Sequence, residues 1–257
     1  MYRLSLFVLL LLSLMPLVSA KEKGSGKEPF IPPPARTMVF RTGEAIVADG
    51  HLDEMAWQKA PALSLSHRFL TGKGQPWQAT RIRLLWDDTC LYVAFESQDV
   101  DIWASTSRHD GPLWEGEVVE VYLDPKGTGR HYKEIEVSPW NTVIDLDIPS
   151  PDRVAQWQKA ARWECVGLKT GVSVVGTVKS RKDRDRLWTV EMAIPWKGLG
   201  VPKPHIGEVW RVQLYRIDRP KTGQPEFSAW SATDDFHRPK NFGYLTFAAR
   251  TLDRPSL

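Results

Sequence analysis

The feature that most constrains this chain is a two-residue alternation of apolar side chains that returns, segment after segment, between turn-forming residues. Ile82, Leu84 and Trp86 alternate with Arg81, Arg83 and Leu85; Asp87-Asp88 then break the run, and Leu91, Val93 and Phe95 resume the same period. Side chains on a strand point alternately to opposite faces, so this pattern predicts a hairpin. Comparable runs cover 118–123, 133–137, 142–148, 172–178, 188–194, 209–217 and 244–247. Helix-like patterns occupy only the short segments 52–59 and 151–159. Short strands parted by Gly, Pro, Asp and Asn predict an all-β domain of two packed antiparallel sheets. This is a β-sandwich of the immunoglobulin or jelly-roll kind, each strand burying one face and wetting the other. No repeat of about 20 to 50 residues recurs, which argues against a propeller or solenoid.

The ends of the chain read differently. Arg3, the apolar run Leu4 to Leu14 and the small-residue site Val18-Ser19-Ala20 predict a signal peptide over residues 1–20, cleaved after Ala20. The expected compartment is the periplasm or the cell exterior. Residues 21–38 are rich in Lys, Gly and Pro and read as a flexible leader, 39–250 as a single domain and 251–257 as a tail. No later run approaches the roughly 20 apolar residues of a membrane crossing, so no span is expected after cleavage. A net charge of +3 over 257 residues, without a basic stripe, gives no sign of a nucleic-acid partner.

Chemistry concentrates in 114–125, where Trp114 stands before a strand that carries Glu117 and Glu120. A pyranose ring has an apolar face that stacks on an aromatic and a rim of hydroxyls that bond to acids and amides. A Trp in that place is more often a core plug, so the segment needs support from elsewhere. Twelve Trp are present, more than a core of this size ordinarily uses. Trp86, Trp188 and Trp210 alternate with aliphatics and read as core, and Trp57, Trp163 and Trp196 as sheet-edge packing. Trp77, Trp103, Trp140, Trp157 and Trp230 fall near turns, with Trp230 the nearest to a further subsite. Cys90 and Cys165 are the only cysteines; an oxidising compartment allows their disulfide, and two free buried thiols are equally ordinary. Asp99, Asp101 and Glu117 offer oxygens to a calcium ion, although solvated turn acids are the commoner case. No organic cofactor is expected.

Five pieces in fixed order carry a resemblance: Asp49-Gly50-His51-Leu52-Asp53-Glu54-Met55-Ala56-Trp57; Leu85-Trp86-Asp87-Asp88 with Leu91-Tyr92-Val93-Ala94-Phe95; Trp114 to Asp124; Trp188 to Trp196; and Phe242-Gly243-Tyr244-Leu245. Together they resemble the family 9 carbohydrate-binding modules, over roughly residues 40 to 248. The resemblance implies a β-sandwich related to the DOMON superfamily, non-catalytic and accessory to glycoside hydrolases. It further implies structural calcium and chain ends of cellulose or xylan held between two aromatic rings. Residue by residue, Trp114 matches one stacking ring and Glu120 the acid that bonds hydroxyls. The second ring falls on Phe236, a family Arg on Glu136, another near Gln224 and a family Asn near Thr233. The expected ligand is therefore a polysaccharide or oligosaccharide, handled alongside separate glycoside hydrolases.

Two other classes compete. Glu117, Glu120, Glu134 and Glu136 lie on strands that can pair, and a glycoside hydrolase needs two such carboxylates about 5 to 10 Å apart. DOMON relatives ligate haem through Met, His or Lys, and the methionines beyond residue 20 are Met38, Met55 and Met192.

Overall fold

The structure is a computed structural model and describes residues 30–252; the expected signal peptide and most of the expected leader and tail lie outside them. The strands are β1 (Arg36–Arg41), β2 (Leu63–Ser64), β3 (His67–Phe69), β4 (Thr80–Trp86), β5 (Cys90–Gln98), β6 (Val118–Asp124) and β7 (Tyr132–Val137), then β8 (Val143–Ile148), β9 (Lys169–Val175), β10 (Leu187–Pro195), β11 (Val209–Asp218), β12 (Glu226–Ala229) and β13 (Gly243–Thr251). They hydrogen-bond in one path, β8-β7-β6-β11-β13-β1-β4-β5-β10-β9, with β2 on β4 and β12 joining β11 to β3. The path curls so that its halves face each other as a sandwich.

The alternation decides which side chains fill the interior. Val119, Val121 and Leu123 of β6 meet Leu84 and Trp86 of β4, Val93 and Phe95 of β5 and Trp188 and Val190 of β10 in the main core. Phe247 is its aromatic centre, with ring centroids 5.3 Å from Trp86, 5.1 Å from Trp210 and 5.9 Å from Trp196. Trp196, expected at a sheet edge, is thus a core residue. Each such fully buried ring contributes on the order of 1.5–3 kcal/mol relative to exposure.

Three expectations are corrected. The sheet is mixed, because β1 runs parallel to both β13 and β4. That seam begins with Arg36 opposite Tyr244, so residues 36–38 belong to the domain and not to a leader. The outer faces are also covered. Val118, Tyr122, Tyr132, Ile144, Leu146, Tyr215 and Phe242 form a second cluster on the outside of β6, β7, β8 and β11. Ala56 and Trp57 of the short helix α1 (Met55–Lys59) close a third cluster over Leu85, Tyr92 and Ala94. Strands whose two faces are both buried do not show the in-out alternation of a half-wet sheet.

Segment 151–159 folds as a 3₁₀ turn, Pro151–Gln156, followed by the helix α2 (Trp157–Ala160). α2 lies against β8 and brings Trp157 over the outer face. Gly243 is required where it stands, since a Cβ there would meet the Trp230 ring at 2.3 Å.

Candidate functional site

Strands β6 and β7 place three carboxylates on one patch of that outer face. Glu120 stands opposite Glu136 and Tyr122 opposite Glu134, and the two-residue period keeps all four on the same side. The glutamates are at most 3% exposed, and one oxygen of each lies within 4.8 Å of the others. Like charges opposed across a ladder weaken the pair. Burial, reinforced by repulsion from Glu134, pushes the Glu120 carboxyl well above the ordinary carboxylate range. Burial, then Glu120 and Glu134, do the same to Glu136. Tyr122 Oη donates to Glu134 Oε1 at 2.8 Å, yet Oε2 of all three glutamates has no partner. Among the described residues only the His237 ring comes within ion-pair reach, its Nδ1 4.0 Å from Glu134 Oε2.

Over these acids opens a cavity of about 420 Å³, within the range of small-molecule sites, roughly 300–1,000 Å³. Two aromatic groups line it. Trp114 sits in a 3₁₀ turn, Leu113–Glu115, anchored by buried Leu113, and its ring meets the Trp157 edge at 4.9 Å. Arg219 Nε and Nη2 both donate to the Trp114 carbonyl, at 3.0 and 2.6 Å, and Gly116 lets the backbone of Ser105 approach where a Cβ would lie 2.5 Å from its nitrogen. Phe236 packs on Phe69 at 4.8 Å, Tyr215 at 4.9 Å and Phe227 at 5.6 Å, and its carbonyl accepts from Tyr215 Oη at 2.6 Å. His237 shares a hydrogen bond of 2.9 Å with Tyr132 Oη.

Trp114, Glu120, Glu136 and Phe236 therefore line one cavity. Gln224 and Thr233 do not join them. Gln224 is exposed in the turn between β11 and β12, and Thr233 Oγ1 stays within its own loop, donating to Asp235 O at 2.7 Å and accepting from Asn241 Nδ2 at 3.3 Å. Trp157, Phe227, Arg219 and His237 line the cavity without having been singled out as site residues. Trp230 is instead packed in the main core. The signal for Trp157 was its place in 151–159, beside the strand that follows Glu136.

The acids weighed for calcium separate. Asp99 and Glu117 gather with Asp218, one oxygen of each within 4.8 Å of the others, whereas Asp101 is held by Arg181 and by the Lys221 N–H at 2.7 Å. Arg216, 1% exposed, enters this group. Its Nη2 donates to Asp99 at 2.6 Å and lies 3.6 Å from Asp218. With a guanidinium already in place, the donor set fits a buried ion-pair network better than a calcium ion. Glu117 thus stands apart from Glu120, Glu134 and Glu136. Met38 and Met55 are half exposed and Met192 is in the main core; none lines the cavity. Cys90 and Cys165 are both free thiols, and burial pushes the Cys165 thiol up to about 12.

The model of the carbohydrate family 9 binding domain-like family matches residues 47–249. The chain belongs to this family. A family 9 carbohydrate-binding module from Caldicellulosiruptor kristjanssonii, solved with glucose, shares the family 9-like fold with a TM-score of 0.56 at 16% identity, covering 86% of this chain and 100% of that one. The same organism's module with cellotriose gives 0.56 at 14% identity, covering 86% and 98%. A protein from Bacteroides uniformis ATCC 8492 gives a TM-score of 0.63 at 16% identity, covering 83% of this chain and 99% of its own. An extracellular protein of Arthroderma benhamiae is 25% identical over 184 residues, 67% of this family 9-like chain and 80% of that protein.

Proposed function

We propose that this protein is an exported, non-catalytic carbohydrate-binding domain that seats a sugar unit in the cavity of Trp114, Phe236, Glu120 and Glu136. The observation that carries this reading is an aromatic-lined cavity over buried acceptors without partners, in a chain of the family 9-like group. Stacking on each ring contributes about 0.5–1.5 kcal/mol and each hydrogen bond to a hydroxyl a similar amount. The dissociation constant should then fall between roughly 1 µM and 1 mM. The glucose and cellotriose held by the Caldicellulosiruptor module favour a β-linked chain of the cellulose or xylan class, chain ends included. The extracellular relative favours export. The acids crowd onto one floor instead of flanking a bond, so they suit holding a sugar more than cleaving it, and breakdown of the polysaccharide falls to separate glycoside hydrolases.

The test is titration of oligosaccharides into the wild type and Trp114→Ala. The variant should lose at least about tenfold in affinity with its circular dichroism unchanged. A folded variant that binds as well as the wild type removes the cavity from the function.

A further inference from the structure

Sugar hydroxyls would satisfy some lone pairs of the cavity floor, but they bring no charge, and three desolvated carboxyls repel one another. The molecule meets the same difficulty at Asp99, Glu117 and Asp218, where Arg216 supplies the positive charge from within. Among the described residues no lysine or arginine pairs with Glu120, Glu134 and Glu136, and the only guanidinium lining the cavity, that of Arg219, directs Nε and Nη2 to the Trp114 carbonyl at 3.0 and 2.6 Å. Oε2 of each glutamate accepts no hydrogen bond, the one on Glu134 lying 4.0 Å from His237 Nδ1, and a primary ammonium has three N–H donors. Aromatic faces beside the acids add attraction for a cation.

Resting on the carbohydrate reading, we propose that the unit seated in this cavity is an amino sugar with a free, protonated amine, its ammonium on Glu120, Glu134 and Glu136 and its ring against Trp114 and Phe236. The ring shape and linkage stay those of the cellulose type, with an amine in place of one hydroxyl. A divalent cation would supply charge, but calcium takes about six to eight oxygens. Beyond the acids and Tyr122 the described lining offers no further carboxylate, only Arg219 and His237 beside the apolar Leu146, Ile148 and Val154. An ion would also leave most of the 420 Å³ unfilled.

The proposal has a protonic signature. Burial and repulsion from the neighbouring acids favour the protonated forms of Glu120 and Glu136, so arrival of the ammonium displaces protons to solvent. Affinity should rise as pH rises through the range of the acids, then fall once the amine itself deprotonates. The other titratable or charged groups around the acids are Tyr122, Tyr132, Tyr215 and His237, with Arg219 on the cavity wall.

The experiment is calorimetric titration of the full chain with cellotriose, the β-1,4 trimer of 2-amino-2-deoxyglucose and its N-acetylated form, each in two buffers of different ionisation enthalpy, with calcium chloride alone as a fourth titrant. The amine trimer should bind at least about tenfold tighter than either uncharged trimer and release protons, and Glu136→Gln should pull that ratio toward one. Equal or weaker binding of the amine trimer beside clear binding of cellotriose overturns the amine and leaves the carbohydrate reading standing. Binding of calcium alone without any amine preference overturns it in favour of a metal. Binding of none of the three trimers brings down both readings. Should Glu136→Gln fail to fold, the trimer series on the wild type decides alone.

Discussion

Two groups of three buried acids sit on this fold, alike in composition and opposite in completion. Asp99, Glu117 and Asp218 close around Arg216, whose Nη1 donates to the Gln98 carbonyl at 2.8 Å and the Thr80 hydroxyl at 3.2 Å. Among the described residues no lysine or arginine pairs with Glu120, Glu134 and Glu136, which open into an aromatic-lined cavity. The first group has its counter-charge supplied by folding alone. The second is costly to fold and, in the proposal made above, takes its counter-charge from a ligand, which is how a binding site differs from a structural network of the same residue types.

The largest expected effect breaks the finished group. Arg216→Met leaves three buried acids without their cation and should cost about 3–5 kcal/mol in urea unfolding; a change below about 1 kcal/mol would mean that the two groups do not differ as described. Glu136→Gln works in the opposite sense. The carboxyl's value in the folded protein is raised above its unfolded value of about 4.3, so the folded state binds the proton more tightly and the acid's penalty grows as pH rises from there. The variant should therefore gain about 1–3 kcal/mol at pH 8 and almost nothing near pH 4, read from urea melts at both. Loss of stability at pH 8 would show that the group is already satisfied. Trp157→Ala frees the edge against which Trp114 rests and should weaken sugar binding by about 0.5–1.5 kcal/mol; unchanged affinity would reduce the wall to Trp114 alone. The smallest effects sharpen the contrast: Gln224→Ala should leave affinity and melting temperature within error, and a calcium chelator should not lower the melting temperature, because Arg216 occupies the centre of the finished group.

Much of the fold was legible because a strand writes its period into the chain: the runs at 188–194 and 209–217 became β10 and β11 with one or two residues added at their ends. What escaped was β1, hidden after a Pro-rich stretch, and the short β2, β3 and β12, which hold too few residues to show a period. The site was half legible. Trp114 and Glu120 share one segment, and Glu134 and Glu136 alternate in another, but their meeting depends on the β6–β7 register, which no local pattern states. Gln224 and Thr233 were placed by counting from family landmarks, and loops vary in length where strands do not. Both acid groups look alike as sequence; Arg216 reaches Asp99 across 117 positions.

The parallel seam has a mechanical consequence. With Arg36 opposite Tyr244 and Arg41 opposite Thr251, the chain comes into the β1–β13 pair at one end and leaves it at the other. Tension along the chain therefore slides the two strands past each other and loads together the bonds of the regular stretch, Arg36 to Val39 against Tyr244 to Phe247, where strands pulled apart from a shared end would unzip rung by rung. A domain stitched in this way is suited to holding on under drag.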